Sequence, residues 1–144
     1  MTPRDRVVGR NILVALGLWW CFSFLGMFVL WGWNSVFVFN RVFTGPSGDA
    51  LRLALSLPGY LIVGFLVGLG VARFIDSSNR PAWAAGLSLL IALADAKSWN
   101  TMRYRGRSVP ETTVVAIAII ASIGIGCWVG LRLEERRGER GEVA

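Results

Sequence analysis

Four apolar runs, Ile12–Trp33, Leu53–Ala72, Ala82–Ala94 and Thr113–Leu131, fill just over half of the chain and contain no charged residue. A helix needs about 20 apolar residues to cross some 30 Å of hydrocarbon at about 1.5 Å per residue. Three of the runs meet that length. The third is short and meets a charge, Asp95, at its end. In water a soluble domain would scatter its apolar residues along helix or strand faces, and long unbroken blocks are not that pattern. The expected fold is therefore all-α: a single integral membrane domain, a small bundle of four transmembrane helices near 12–33, 53–73, 82–99 and 112–131, with a charged tail over 132–144.

Charge placement refines this picture. The net charge is +6, which in a soluble protein would point to nucleic acid. Here the basic residues flank the apolar runs, so the expected partners are the lipid bilayer and its anionic head groups, worth about 1 kcal/mol per basic residue close to the surface. No nucleic acid is expected. Fourteen of the fifteen basic residues are Arg, a bias associated with GC-rich bacteria, so the expected location is a bacterial plasma membrane. Arg4, Arg6 and Arg10 precede Ile12 as they would in a secretory signal, but the apolar run that follows exceeds the ~7–15 residues of a signal core. An uncleaved first span is expected.

That first span is rich in aromatics. Trp31 and Trp33 suit an interfacial anchor at its outer end. Trp19 and Trp20 sit too deep for that role, so one of them is expected to face protein or a lipid-facing groove. Beyond the span, Ser35–Phe43 suits an interfacial stretch. Thr44-Gly45-Pro46-Ser47-Gly48 reads as a turn, with Asp49 as N-cap of the next helix. Pro58-Gly59 then falls inside that helix, where a proline removes one backbone bond and is expected to kink it; alternatively, Ala50–Leu57 lies in the interface and Pro58 opens the span.

The third run hinges on its edges. Trp83 and Trp99 stand sixteen residues apart, about 24 Å along a helix, the spacing of two interfacial anchors, and Lys97 can snorkel outward. If all four runs cross with the N-terminus inside, nine Lys and Arg lie on the cytoplasmic side and six outside. The bias places both termini in the cytoplasm. If the third run does not cross, the count is again nine to six with the C-terminus outside, so charge alone does not set the number of spans.

Small residues recur at every fourth position in two spans: Gly64, Gly68 and Ala72 in the second, and Ala118, Ser122, Gly126 and Gly130 in the fourth. Residues four apart share a helix face, and small ones let two backbones approach where lipid removes the hydrophobic drive. These seven are the expected helix-packing residues, either between the two spans or across a homo-oligomer. Lys97, Arg103, Tyr104, Arg105 and Arg107 interleave basic and aromatic residues beside the membrane and are the candidates for lipid head-group contact. Asp95 is the candidate functional acid, since an acid at membrane depth usually has a role.

Several chemistries lack their residues. The chain has no His, which removes Ser–His and Cys–His nucleophile pairs. Cys21 and Cys127 form no Cys-x-x-Cys pair, so no metal or cofactor is expected. The expected function is that of a small non-catalytic integral membrane protein acting through helix packing with itself or a membrane-protein partner. The alternative is a subunit of a small transporter or channel for a neutral or lipid-like substrate. An enzyme acting on lipid head groups ranks below both.

Overall fold

In lipid a backbone has no water to bond, so long apolar segments satisfy their own N–H and C=O groups as helices. The computed structural model describes residues 3–34, 36, 45–76, 79–101 and 109–141, and their regular elements are helical: α1 (Pro3–Asn34), α2 (Gly45–Phe74), α3 (Arg80–Thr101) and α4 (Val109–Gly141). Three of them, over Asp5–Gly26, Ala50–Phe74 and Pro110–Arg137, are long and apolar enough to cross a membrane. α3 is less apolar, because its last turns carry Asp95, Lys97, Ser98 and Asn100. Its 22 residues nonetheless extend about 33 Å.

The helices overrun the apolar runs at both ends. Gly45-Pro46-Ser47-Gly48, expected as a turn, is the first turn of α2, and Asp49 stands inside the helix rather than at its N-cap. The correction has a simple cause. The first-turn N–H groups have no intrahelical partner, so a proline there loses nothing and presets φ. α2 continues through Pro58; the ring leaves the Ala54 carbonyl without its donor four residues on. The charged tail from Arg132, whose residues read as a helix extension fraying at Gly138 and Gly141 with a solvated tail as the default, continues α4 as far as Gly141, with Arg132 and Glu135 paired one turn apart at 3.1 Å. Residues 35 and 37–44, which include most of the expected interfacial stretch, lie outside the described residues, as do 102–108 and 142–144.

α2 packs most extensively on α4, while α1 lies along α2 and α3 along α4. The buried centre is formed by Tyr60, Val63, Val67 and Val71 of α2, Val115, Ile119 and Ile123 of α4, and Leu87 and Ile91 of α3. Phe22 reaches in from α1, and Trp19 packs against the same core while Trp20 is exposed. One of the two deep tryptophans thus faces protein.

Contacts along α2 and α4 fix their relative direction. Gly64 meets Ser122, Gly68 meets Gly126, and Ala72 meets Gly130. Positions rise together with a constant offset, so α2 and α4 run parallel. A chain leaving the end of α2 must then travel back along the bundle before α4 can begin, and α3 makes that return.

One end of the bundle is tied by a buried amide. Asn11 of α1 is 2% exposed; its Nδ2 donates to the Asp76 carbonyl at 3.1 Å and its Oδ1 accepts from the Asp76 N–H at 3.1 Å. Both backbone groups of the residue just beyond α2 are thereby satisfied by a different helix. Next to it Arg80, the first residue of α3, donates from Nε to the Ile75 carbonyl at 2.9 Å, which serves the end of α2 as a C-terminal cap. Asn11→Ala removes both part-buried amide bonds to Asp76, at a cost of about 0.5–1.5 kcal/mol per bond. The expected outcome is a lower Tm in detergent micelles, with Ser23→Ala, at an exposed position, within about 0.5 kcal/mol of the parent.

Candidate functional site: the α2–α4 seam and its polar ends

The parallel contact of α2 and α4 is built on atoms that exist only because side chains are missing. A Cβ on Gly68 would run into the Ile123 carbonyl oxygen and lie 2.7 Å from the Cys127 nitrogen and 2.9 Å from the Gly126 Cα. A Cβ on Gly126 would run into the Phe65 carbonyl oxygen and lie 3.1 Å from its Cα. The two glycines therefore aim their α-hydrogens at carbonyls of the opposite helix, the arrangement of Cα–H···O contacts worth about 0.5–1 kcal/mol each. One turn away a Cβ on Gly64 would collide with Ser122 Oγ, and at the other end a Cβ on Gly130 would meet the Ala72 methyl at 2.5 Å.

Of the seven small residues expected in helix packing, six are brought together in this way: Gly64, Gly68, Ala72, Ser122, Gly126 and Gly130. Ala118 lies half-buried one turn before Ser122. Ser122 itself is buried, and its hydroxyl donates back to the Ile119 carbonyl at 3.0 Å, which satisfies the proton without a partner helix. The contact is within the chain, so these faces of α2 and α4 are occupied.

Polar residues gather at the two ends of the seam. At the end where α2 and α4 begin, Arg52 reaches Glu111 at 3.0 Å. Glu111 sits in the first turn of α4, where the helix dipole favours an anion. At the opposite end Arg80 of α3 pairs with Glu134 of α4, and Arg10 of α1 pairs with Asp76 at 2.6 Å. α2 and α3 are thus each joined to α4 by an arginine and a carboxylate, and α1 to the segment just beyond α2. Asn11, Asp76, Arg80 and Glu134 were not among the expected site residues. A lone Asn between Arg10 and an apolar run was the one available signal, and it named no partner.

The remaining candidates lie at the far end of α3. Asp95 is half-buried and Lys97 exposed in its closing turns, and each has an interaction partner. Arg103, Tyr104, Arg105 and Arg107 lie outside the described residues. Cys21 is exposed on α1 and Cys127 is buried on α4, and the two are not joined. Among the described residues no three metal-ligating side chains stand together. No protein-family model, curated protein or solved structure matches the chain.

Glycine replacements separate the seam from ordinary helix propensity. Gly68→Ala and Gly126→Ala push a methyl into backbone, which cannot yield, and are expected to destabilise by about 1–3 kcal/mol or more in SDS-titrated unfolding. Gly64→Ala strikes only a side chain, so Ser122→Gly in the same chain is expected to restore it, and is expected to do nothing for Gly68→Ala. Gly124, which has nothing within 4 Å of its Cβ position, is the control: Gly124→Ala should be neutral or slightly stabilising. Equal responses at Gly68 and Gly124 would remove the seam from the account.

Proposed function

We propose that the chain is a non-catalytic, four-span protein of a bacterial plasma membrane, with both termini cytoplasmic, that acts by packing the outer face of α1 against a second copy or another membrane protein. The observation that carries this reading is the uneven cover of the helices. Only 11% of the apolar window of α1 is buried, against 44% for α2 and 33% for α4, and α1 makes no approach to α4 among the described residues.

The uncovered face is shaped. Trp20 stacks on Phe24 with ring centroids 5.6 Å apart, and Phe24 meets Phe28 edge-on at 5.2 Å, a ridge along about two turns. Beside it Gly17 has nothing within 4 Å of its Cβ position, and Cys21, one turn on, is also small and exposed. A ridge next to a small-residue groove is the relief that lets helices interlock in lipid. The seam on α2 and α4 is already occupied within the chain, and α1 is the least covered of the three long apolar helices.

Fourth-span status for α3 is supported by direction. Parallel α2 and α4 require an intervening segment that returns the full length of the bundle, and α3 is long enough for it. The non-catalytic reading is supported by the carboxylates Asp76, Glu111 and Glu134, each engaged by an arginine that ties helices together.

Two measurements test the reading. In a chain carrying Cys21→Ala and Cys127→Ala, an impermeant maleimide applied to intact cells is expected to label Tyr104→Cys and to leave a cysteine at Val143 unlabelled until the membrane is opened. The reverse pattern places the C-terminus outside and rejects the proposed topology. A photoreactive benzoyl-phenylalanine in place of Trp20 is expected to give a discrete protein adduct in native membranes, reduced several-fold by Gly17→Leu. Adducts with lipid alone would reject the packing role of α1.

A further inference from the structure

At the end of the bundle where α1 begins and α2 finishes, an open groove of about 650 Å³ collects guanidinium groups from three helices: Arg10 of α1, Arg73 of α2 and Arg80 of α3. One carboxylate, Asp76, lines it with them, so positive charge is in excess. From these observations, together with the membrane placement of α1 and α2, we infer that this groove binds the phosphate of an anionic membrane phospholipid.

The arginines differ in what holds them. Arg10 is paired with Asp76, and Arg80 with the Ile75 carbonyl and Glu134. These ties use some of the five donors that each guanidinium carries and hold both side chains in place. Arg73 is exposed and has no ion-pair partner among the described residues. An arginine in the last turn of α2 already favours that helix end, but that does not bring two further arginines from other helices into the same groove. A planar fork matched to phosphate oxygens is the chemistry that three guanidinium groups share.

The rest of the lining selects the source of that phosphate. Arg10, Val14 and Leu18 stand four residues apart on one face of α1, so the groove passes from a cation to two apolar side chains over about 12 Å of helix. Phe74, exposed, forms the other wall. A head group over an acyl track fits this sequence of surfaces, whereas inorganic phosphate uses only its top. Basic pockets between membrane helices bind anionic head groups in just this manner. The groove is distinct from the Lys97–Arg107 segment, which starts at the other end of α3, and shares no lining residue with the Trp20–Phe28 ridge of α1.

The test uses the full chain, delipidated in detergent and titrated with phosphatidylglycerol or phosphatidylcholine, with bound lipid counted by native mass spectrometry. Phosphatidylglycerol is expected to bind more tightly than phosphatidylcholine by roughly tenfold, and Arg73→Gln to remove roughly five- to tenfold of that affinity. Arg73 makes no tie between helices, so its replacement leaves the fold in place; an unchanged Tm checks this. Lys97→Gln at the other end is expected to bind as the parent does. Retention in phosphatidylcholine vesicles after carbonate washing reads the membrane placement separately. An Arg73→Gln chain that binds phosphatidylglycerol as tightly as the parent overturns the proposal. So does displacement of the lipid by millimolar inorganic phosphate, which would make the groove a site for the free anion.

Discussion

The backbone contact between Gly68 and Gly126 is the constraint on which the rest of the bundle depends. Lipid tails are as apolar as leucine, so helices gain little from merely exchanging lipid for side chains, and association falls to close packing. A methyl group at either glycine would overlap a carbonyl oxygen of the facing helix. The approach is therefore available to this sequence and to few variants of it. Once α2 and α4 are locked in parallel with a constant offset, α3 has to return from the end of one to the start of the other.

The ion pairs occupy a different place in this hierarchy. They lie at the ends of the bundle: Arg52–Glu111 at one, Arg80–Glu134 and Arg10–Asp76 at the other. Exposed pairs such as Arg10–Asp76, with both side chains more than half exposed, contribute about 0–1 kcal/mol. Half-buried pairs gain Coulomb energy but lose hydration, with a small net balance. What they supply is register. A slip of α4 by one turn along α2 would part Arg52 from Glu111 as well as Gly68 from its carbonyl, so the polar ends and the apolar seam penalise the same error.

Legibility in the sequence followed from whether a feature is a property of one segment or of a relation between two. Small residues at every fourth position are readable in one dimension because close approach demands them, and six of the seven indicated positions meet across the seam. Four helices were readable from charge-free runs for the same reason. The path of α3 was not, because its hydropathy is marginal and the deciding fact is the parallel direction of two other helices. Gly45-Pro46-Ser47-Gly48 was misread because turns and helix N-termini call for the same residues. Asn11 and Glu134 carry no signal of their partners in the sequence, since those lie 65 and 54 positions away. Arg73 was counted only as a topogenic charge, because nothing in the sequence says that Arg10 and Arg80 share its groove.

These relations also order the helices by how firmly they are held. α2 and α4 meet backbone to backbone, and α3 is bound to α4 by packing and by Arg80. α1 rests on α2 through side chains: where Gly70 faces it, a Cβ would meet only the flexible end of Leu18, at 2.6 Å, which can shift. Its firmest attachment is the Asn11 amide at one end. A helix fixed at one end and packed through yielding side chains along the rest can tilt at modest cost, whereas moving α2 against α4 means separating backbones. The aromatic ridge thus stands on a helix held to its neighbour by side chains rather than by backbone contact, which is where the proposed packing surface is least costly to place.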